Sequence, residues 1–273
     1  MIPTFNRAQQ VRSAINSSLA QSEKCDVLVV DHGSTDETQE VVMSFGDRVA
    51  YVWRSDDRGP IFCWLDGVLN SGTDFVKLLF DDDLLSPDFV KKAMSLMSDD
   101  IGFVASNACV IESASGDVVE NELFKFPATG TYKARSMVGE RVAQTMISPS
   151  AIIMRRADLV SGLYMDFLPF QTKHHHGAGP DHYVKLLAML RYPRFGIVNE
   201  PLVSFGFHEG SITAQSQLSA VQQNNLQSVY SEVWVFYQQL RIIKIMRPLT
   251  MVYVRLGSLV GKAISRISRL NTR

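Results

Sequence analysis

Cysteine is scarce in this 273-residue chain: Cys25, Cys63 and Cys109 are its only three, and none stands in a C-x-x-C pair. An odd, scattered set argues against a disulfide framework and for a reducing, cytoplasmic compartment. Long apolar runs are missing as well. No stretch reaches the roughly 18 apolar residues of a bilayer-spanning helix, and residues 1–7 lack the apolar segment of a secretory leader. Charge of one sign is missing in bulk, since the formal net charge of -1 gives no general attraction for nucleic acid. There is no internal repeat and no low-complexity tract. What is present is the make-up of a globular protein, 46% apolar and 20% charged, which suffices for a core. The length suits one enlarged α/β domain.

The first hundred residues alternate between two periods. Val11, Ala14, Ile15 and Leu19 recur at helical spacing, and residues 26–31 hold the continuous apolar run of a strand buried on both faces. Ser34-Thr35-Asp36-Glu37 has the form of a capping box and predicts a helix from that point. Residues 48–53 predict a strand, Ile61, Trp64, Leu65 and Val68 a helix, and residues 75–80 another strand. Ser86-Pro87-Asp88 supplies the cap and first turn of a further helix. This βα rhythm implies an α/β fold with a doubly wound sheet. After Ile101 the rhythm breaks into short strand-like runs at 101–106 and 108–111 and an irregular stretch over 121–135. A strand at 150–154, a long loop over 164–179, a helix over 180–190 and strands at 195–198 and 202–207 follow. From Gln215 onward the pattern is helical, interrupted at Pro248. The expected layout is a catalytic domain over 1–214, with halves at 1–100 and 101–214, and a helical extension over 215–273.

Ligands of open α/β sheets sit outside the carboxyl ends of the strands, and three features fall there. In Asp81-Asp82-Asp83, adjacent carboxylates repel unless a cation or water relieves them. Mg²⁺ takes one or two carboxylates plus substrate phosphates. Alone the run is a solvated acidic turn; between an apolar strand and a capped helix it reads as a metal and phosphate centre. Asp31-His32-Gly33-Ser34-Thr35-Asp36 joins a buried strand to a helix N-terminus, where a carboxylate can accept from a base or ribose. Ser34 and Thr35 read there as capping residues. Pro3-Thr4-Phe5-Asn6-Arg7 is by itself a turn before a helix. Only Met1 and Ile2 precede it, which sets the expectation that the native start lies upstream.

Together these motifs resemble the family 2 glycosyltransferases of the GT-A fold. The likeness continues through Gly179-Pro180-Asp181, Glu200-Pro201-Leu202-Val203 and His208-Glu209-Gly210-Ser211-Ile212-Thr213, so it runs from residue 2 to about residue 213. It implies a mainly parallel GT-A sheet with a Rossmann-like nucleotide half and an acceptor half. It also implies inverting transfer of a sugar from a nucleotide-diphosphate donor, a UDP-sugar favoured, to a hydroxyl of a glycan or lipid-linked acceptor in surface polysaccharide synthesis. Pro3, Thr4, Asn6 and Arg7 would line the nucleotide pocket, and Asp31 would read base or ribose. Asp81 and Asp83 would meet Mn²⁺ or Mg²⁺ and the donor, with Asp82 in the same turn. His208 would be a further metal ligand and Asp181 the base that deprotonates the acceptor. His32 departs from the family's Asp, and Cys63-Trp64-Leu65-Asp66-Gly67 lacks an Asn often found before the acidic strand.

The chemistry asks for such groups: an oxocarbenium-like transition state, a cation on the departing diphosphate, and a carboxylate or imidazole on the acceptor alcohol. Read alone, Asp181 is equally a favourable first-turn acid. His174-His175-His176 point in different directions and make a poor metal site, so an acceptor-side loop is expected. Two other readings stay open: a sugar nucleotidyltransferase, whose usual Gly-rich basic loop is absent from residues 3–7, and a nucleotide-sugar-binding protein without turnover.

Between Arg241 and Arg273 there are eight Lys or Arg and no acid. Leu249, Val252, Leu256, Leu259, Val260, Ala263, Ile267 and Leu270 share one helical face, with basic residues beside it. That is the pattern of a helix lying on an anionic membrane surface, here the inner face of the cell membrane. The bland alternative is packing on its own domain or in a homo-oligomer.

Overall fold

Strand formation starts at the second residue. β1 (Ile2–Thr4) runs parallel to β2 (Leu28–Asp31), which pairs in parallel with β3 (Ala50–Trp53). Three residues suffice for β1 because all of them are buried, so each ladder bond forms away from competing water. α1 (Ala8–Leu19) packs Val11, Ala14 and Ile15 inward, and α2 (Thr38–Met43) packs Val41 and Val42. α3 (Pro60–Asn70), opened by a proline in its first turn, buries Ile61, Cys63, Trp64 and Val68. Met1 then ties this sheet to the next: its nitrogen donates to Lys77 O at 2.9 Å and its carbonyl accepts from Leu79 N at 3.0 Å.

The computed structural model describes residues 1–113, 115–164, 178–207, 224 and 226–247. The expectations placed on His208, on His174-His175-His176 and on residues 248–273 fall outside these.

The second sheet is ordered β4 (Phe75–Lys77), β9 (Ile152–Arg155), β6 (Ile101–Glu112), β10 (Arg194–Phe207) and β5 (Leu84–Leu85). β7 (Val118–Glu120) flanks β6, and β8 (Gly130–Lys133) flanks β10. The α/β class is as expected. Parallel pairing rules the nucleotide half, whereas here only β6 and β10 run parallel and the other pairs are antiparallel. Phe103 and Phe195 stack across β6 and β10 at 5.5 Å, both fully buried. Burying each such ring stabilises the fold by about 2–3 kcal/mol. α4 (Phe89–Ser95), α5 (Met137–Gln144), α6 (Arg156–Leu163) and α7 (Pro180–Arg191) complete this part. A last helix, α8, covers residues 226–247. Among the described residues no helix is long and apolar enough to cross a membrane.

The chain divides into two compact units, residues 1–234 and 235–273. The motif order and the helical pattern beyond it set the expected catalytic boundary after residue 214; the first unit runs to Trp234 and includes Val229 and Val233, both buried.

Candidate active site

The chain leaves β1 through a turn in which Asn6 takes φ 51°, the left-handed region that Asn enters more readily than other side-chain-bearing residues. That turn is stitched to the one after β2. Asn6 Oδ1 accepts from Thr35 N and Asn6 N donates to Ser34 Oγ, both at 2.8 Å. Asp36 accepts from Ala8 N and Thr38 N, serving the first turns of α1 and α2 together. The expected capping box does not form. Ser34 is engaged by Asn6 and Asp31, so α2 begins later, at Thr38.

Asp31 ends β2 fully buried, Oδ1 accepting from Ser34 N at 2.9 Å and Oδ2 from Tyr51 Oη at 2.7 Å. Burial, and then the bond to Asp31, push the Tyr51 phenol well above its ordinary range. His32 Nδ1 lies 2.7 Å from Asp57 Oδ1, and its ring centre 5.5 Å from that of Phe5. Asp57 also accepts from Gly59 N, so the residue that replaces the family's Asp anchors the loop before α3. Pro3, buried in β1 opposite Val30, shapes the strand and offers no polar side-chain group.

The acidic turn follows β4. Thr4 Oγ1 donates to Asp81 Oδ2 at 2.7 Å, and Arg7 Nη1 reaches Asp81 Oδ1 at 3.2 Å and Asp82 Oδ2 at 2.6 Å. Burial pushes Asp81 up to about 7 against the pull of Arg7. Asp83 is also raised, by burial first and by Asp82 second; the Ser150 hydroxyl and the Gly206 amide, 3.3 Å from Oδ1, ease it. Ser150 Oγ also accepts from Phe80 N at 2.9 Å, which sets the entry to the turn. Gly206 on β10 passes so close that a Cβ there would collide with the Asp82 backbone oxygen.

Among the described residues no cluster of three or more His, Cys, Asp or Glu could hold a metal by itself. Asp81 is shared between Thr4 and Arg7, whereas Asp83 has, among the described residues, the Ser150 hydroxyl, the Gly206 amide and the nearby buried Lys77 ammonium against its charge. One hard carboxylate, Asp83, with a second, Asp81, two residues before it, fits a divalent cation whose remaining ligands are phosphate oxygens and water.

Asp181 stands apart from that turn in sequence, in the first turn of α7. Gly179, at φ 96°, turns the chain so that Asp181 Oδ1 accepts from Gly179 N at 2.8 Å and His182 N at 2.7 Å. Asp181 Oδ2 accepts from Tyr230 Oη at 2.9 Å. Burial raises Asp181 to about 6 despite these donors and the nearby Lys185. Lys185 is itself fully buried, and its ammonium donates to the carbonyls of Val142, Ala143 and Thr145 at the end of α5. Tyr230 belonged to none of the sequence motifs, and neither did Gly206. A single tyrosine in a helical pattern carries no sign of its partner.

The sequence nominated Pro3, Thr4, Asn6, Arg7, Asp31, Asp81 and Asp82 together, and hydrogen bonds and strand pairing link these residues at the carboxyl ends of β1, β2 and β4.

Comparison with known proteins bears on the whole arrangement. An uncharacterised glycosyltransferase of Rickettsia typhi is 31% identical over 100 residues, covering 36% of this chain and 31% of the relative. The succinoglycan biosynthesis protein ExoU of Rhizobium meliloti is 27% identical over 132 residues, covering 47% of this chain and 38% of the relative. The matched stretch thus spans about a third of these relatives' own length. Among solved structures, S. aureus TarS in complex with UDP-GlcNAc superposes with a TM-score of 0.62 at 18% identity, over 85% of this chain and 70% of that one. The mannosyltransferase PcManGT of Pyrobaculum calidifontis, in complex with GDP-Man and Mn²⁺, gives 0.53 at 16% identity, over 79% and 59%. The fold is that of the GT-A glycosyltransferases. The glycosyl transferase family 2 model matches residues 1–160, more than half of the 273, and the chain belongs to that family of glycosyltransferases.

Proposed function

We propose that this glycosyltransferase is an inverting, divalent-metal-dependent enzyme that moves a sugar from a nucleoside-diphosphate donor to a hydroxyl of a glycan or lipid-linked acceptor. One observation carries the reading: Thr4 and Arg7 from the end of β1 are hydrogen-bonded to Asp81 and Asp82 in the turn after β4. A strand-end cluster of that kind suits a diphosphate with its cation. The exposed ring of Phe5, its centre 5.5 Å from that of His32 after β2, offers a stacking face for a base. A UDP-sugar is favoured, as in the TarS complex, and the ExoU relationship supports polysaccharide synthesis.

Asp83, with Asp81 in the same turn, would hold Mn²⁺ or Mg²⁺, which when bound neutralises charge on the departing diphosphate. Arg7 would contribute positive charge at the same place. Asp181 takes the proton of the acceptor hydroxyl as that oxygen bonds to the anomeric carbon. The bond from carbon to phosphate oxygen breaks, and its electron pair leaves with the nucleoside diphosphate. Attack opposite the leaving group inverts the anomeric centre.

The test is release of nucleoside diphosphate from a panel of UDP- and GDP-sugars with Mn²⁺ or Mg²⁺. One donor should turn over slowly with water as acceptor. Asp83→Ala should abolish both this release and the rise in melting temperature that donor and metal give together. Undiminished release by Asp83→Ala, or release independent of metal, would refute the metal-dependent reading.

A further inference from the structure

Tyr230 lies 49 residues beyond Asp181 in sequence, on α8, yet its hydroxyl donates to Asp181 Oδ2. An ionised carboxylate has about four lone-pair sites. In Asp181 both sites of Oδ1 are taken by the amides of Gly179 and His182, and one site of Oδ2 by Tyr230. Among the described residues nothing takes the second site on Oδ2, and Asp181 keeps part of its surface open to solvent. We infer that Tyr230 is a positioning residue for the base, its hydroxyl orienting Asp181 so that the last lone pair of Oδ2 is the one that receives the acceptor's proton. The inference rests on Asp181 being the base.

The surroundings support an assigned role for that hydroxyl. Among the described residues, Tyr230 is the one side chain that hydrogen-bonds to Asp181. Among the described residues, the other titratable groups beside Asp181, His182 and Lys185, lie on its own helix. Lys185 directs its ammonium to the carbonyls at the end of α5, away from direct contact. His182 is buried and neutral, packs edge-on against the Tyr230 ring at 5.8 Å, and its Nδ1 has no partner among the described residues. Val229 and Val233, buried on the same helix, hold Tyr230 in place. The start of α8 is thus part of the catalytic apparatus, although no motif of the first 213 residues includes it.

Because the phenol stabilises the carboxylate, its removal leaves Asp181 harder to ionise. The experiment uses the full chain labelled with ¹³C at aspartate carboxyls, with Asp181→Asn identifying the Asp181 resonance. The wild type should titrate near 6, and Tyr230→Phe, which keeps the ring and its packing, should titrate higher by roughly one unit. In turnover, Tyr230→Phe should lower kcat by about tenfold, leave the donor KM unchanged, and move the acidic limb of the profile upward by the same roughly one unit. An unmoved Asp181 midpoint overturns the proposal, with no donor needed. So does an unchanged kcat in Tyr230→Phe when Asp181→Asn is inactive. Full activity in Asp181→Asn defeats instead the assignment of the base, and the role of Tyr230 with it.

Discussion

Asp181 illustrates a residue that a fold holds against its own stability. Its acidity in the folded chain, about 6, lies above the ordinary value of 3.8. Between those two values the folded protein keeps a proton that the unfolded chain has released. Stability is therefore lost as pH rises through that window, and the penalty is complete above about 6. Asp181→Asn removes the buried charge while its carbonyl oxygen can still accept from Gly179 and His182. At pH 7.5 this variant should melt at the wild-type temperature or a few degrees above it, yet lose about 10²–10⁴ in turnover. Near pH 4 the melting advantage should vanish. A variant that melts well below wild type at pH 7.5 would mean that the carboxylate stabilises the fold, contrary to this account. The wild-type rate itself should fall below about pH 6, as the base becomes protonated.

At the scale of elements, the turn of aspartates depends on a strand from the far half of the sequence. β10 presents Gly206, whose amide donates to Asp83 and whose missing side chain admits the Asp82 backbone. Gly206→Ala should push the turn out of place, reducing metal-dependent turnover by about 100-fold, the effect of a 1 Å misplacement, while the bulk of the core is untouched. Crystallography of the variant would check the shift, and an unmoved turn with full activity would remove Gly206 from the site. None of this is visible in the order of residues. The βα rhythm of the first hundred residues was legible because buried parallel strands and amphipathic helices write distinct periods. Past Ile101 two runs separated at Asn107 are in fact one strand, β6. Asn107 is fully buried there because its side chain bonds to its neighbour Ala108 and to Phe124 and Asn199, and the last two partners come from distant segments. Likewise β10 runs unbroken through Pro201, its register with β6 shifting on either side of that residue. Ser34 misled in the opposite sense: its local pattern favours a cap, but the loop carrying Asn6 takes it first.

For the whole molecule, the open question is where the chemistry takes place. We propose a cytoplasmic enzyme held at the inner face of the membrane, next to a lipid-linked acceptor. The described end of α8 supports this. Ile242, Ile243 and Ile245 are each about 60% exposed, and they alternate with the basic Arg241, Lys244 and Arg247. Large apolar side chains left in water next to cationic ones suit the boundary between headgroups and acyl chains of an anionic bilayer. Each Lys or Arg near such a surface contributes about 1 kcal/mol. A variant carrying Arg241→Gln, Lys244→Gln and Arg247→Gln should therefore bind vesicles of phosphatidylglycerol and phosphatidylcholine about 100-fold more weakly. Co-sedimentation of the full chain measures this directly, and added salt should release the wild type because surface attraction is screened within a Debye length. Equal binding to pure phosphatidylcholine would mean that the isoleucines alone drive adsorption. No binding to either vesicle, with dimers in solution, would mean that the same face pairs with a second copy of the chain, and the acceptor would then have to reach the enzyme by another route.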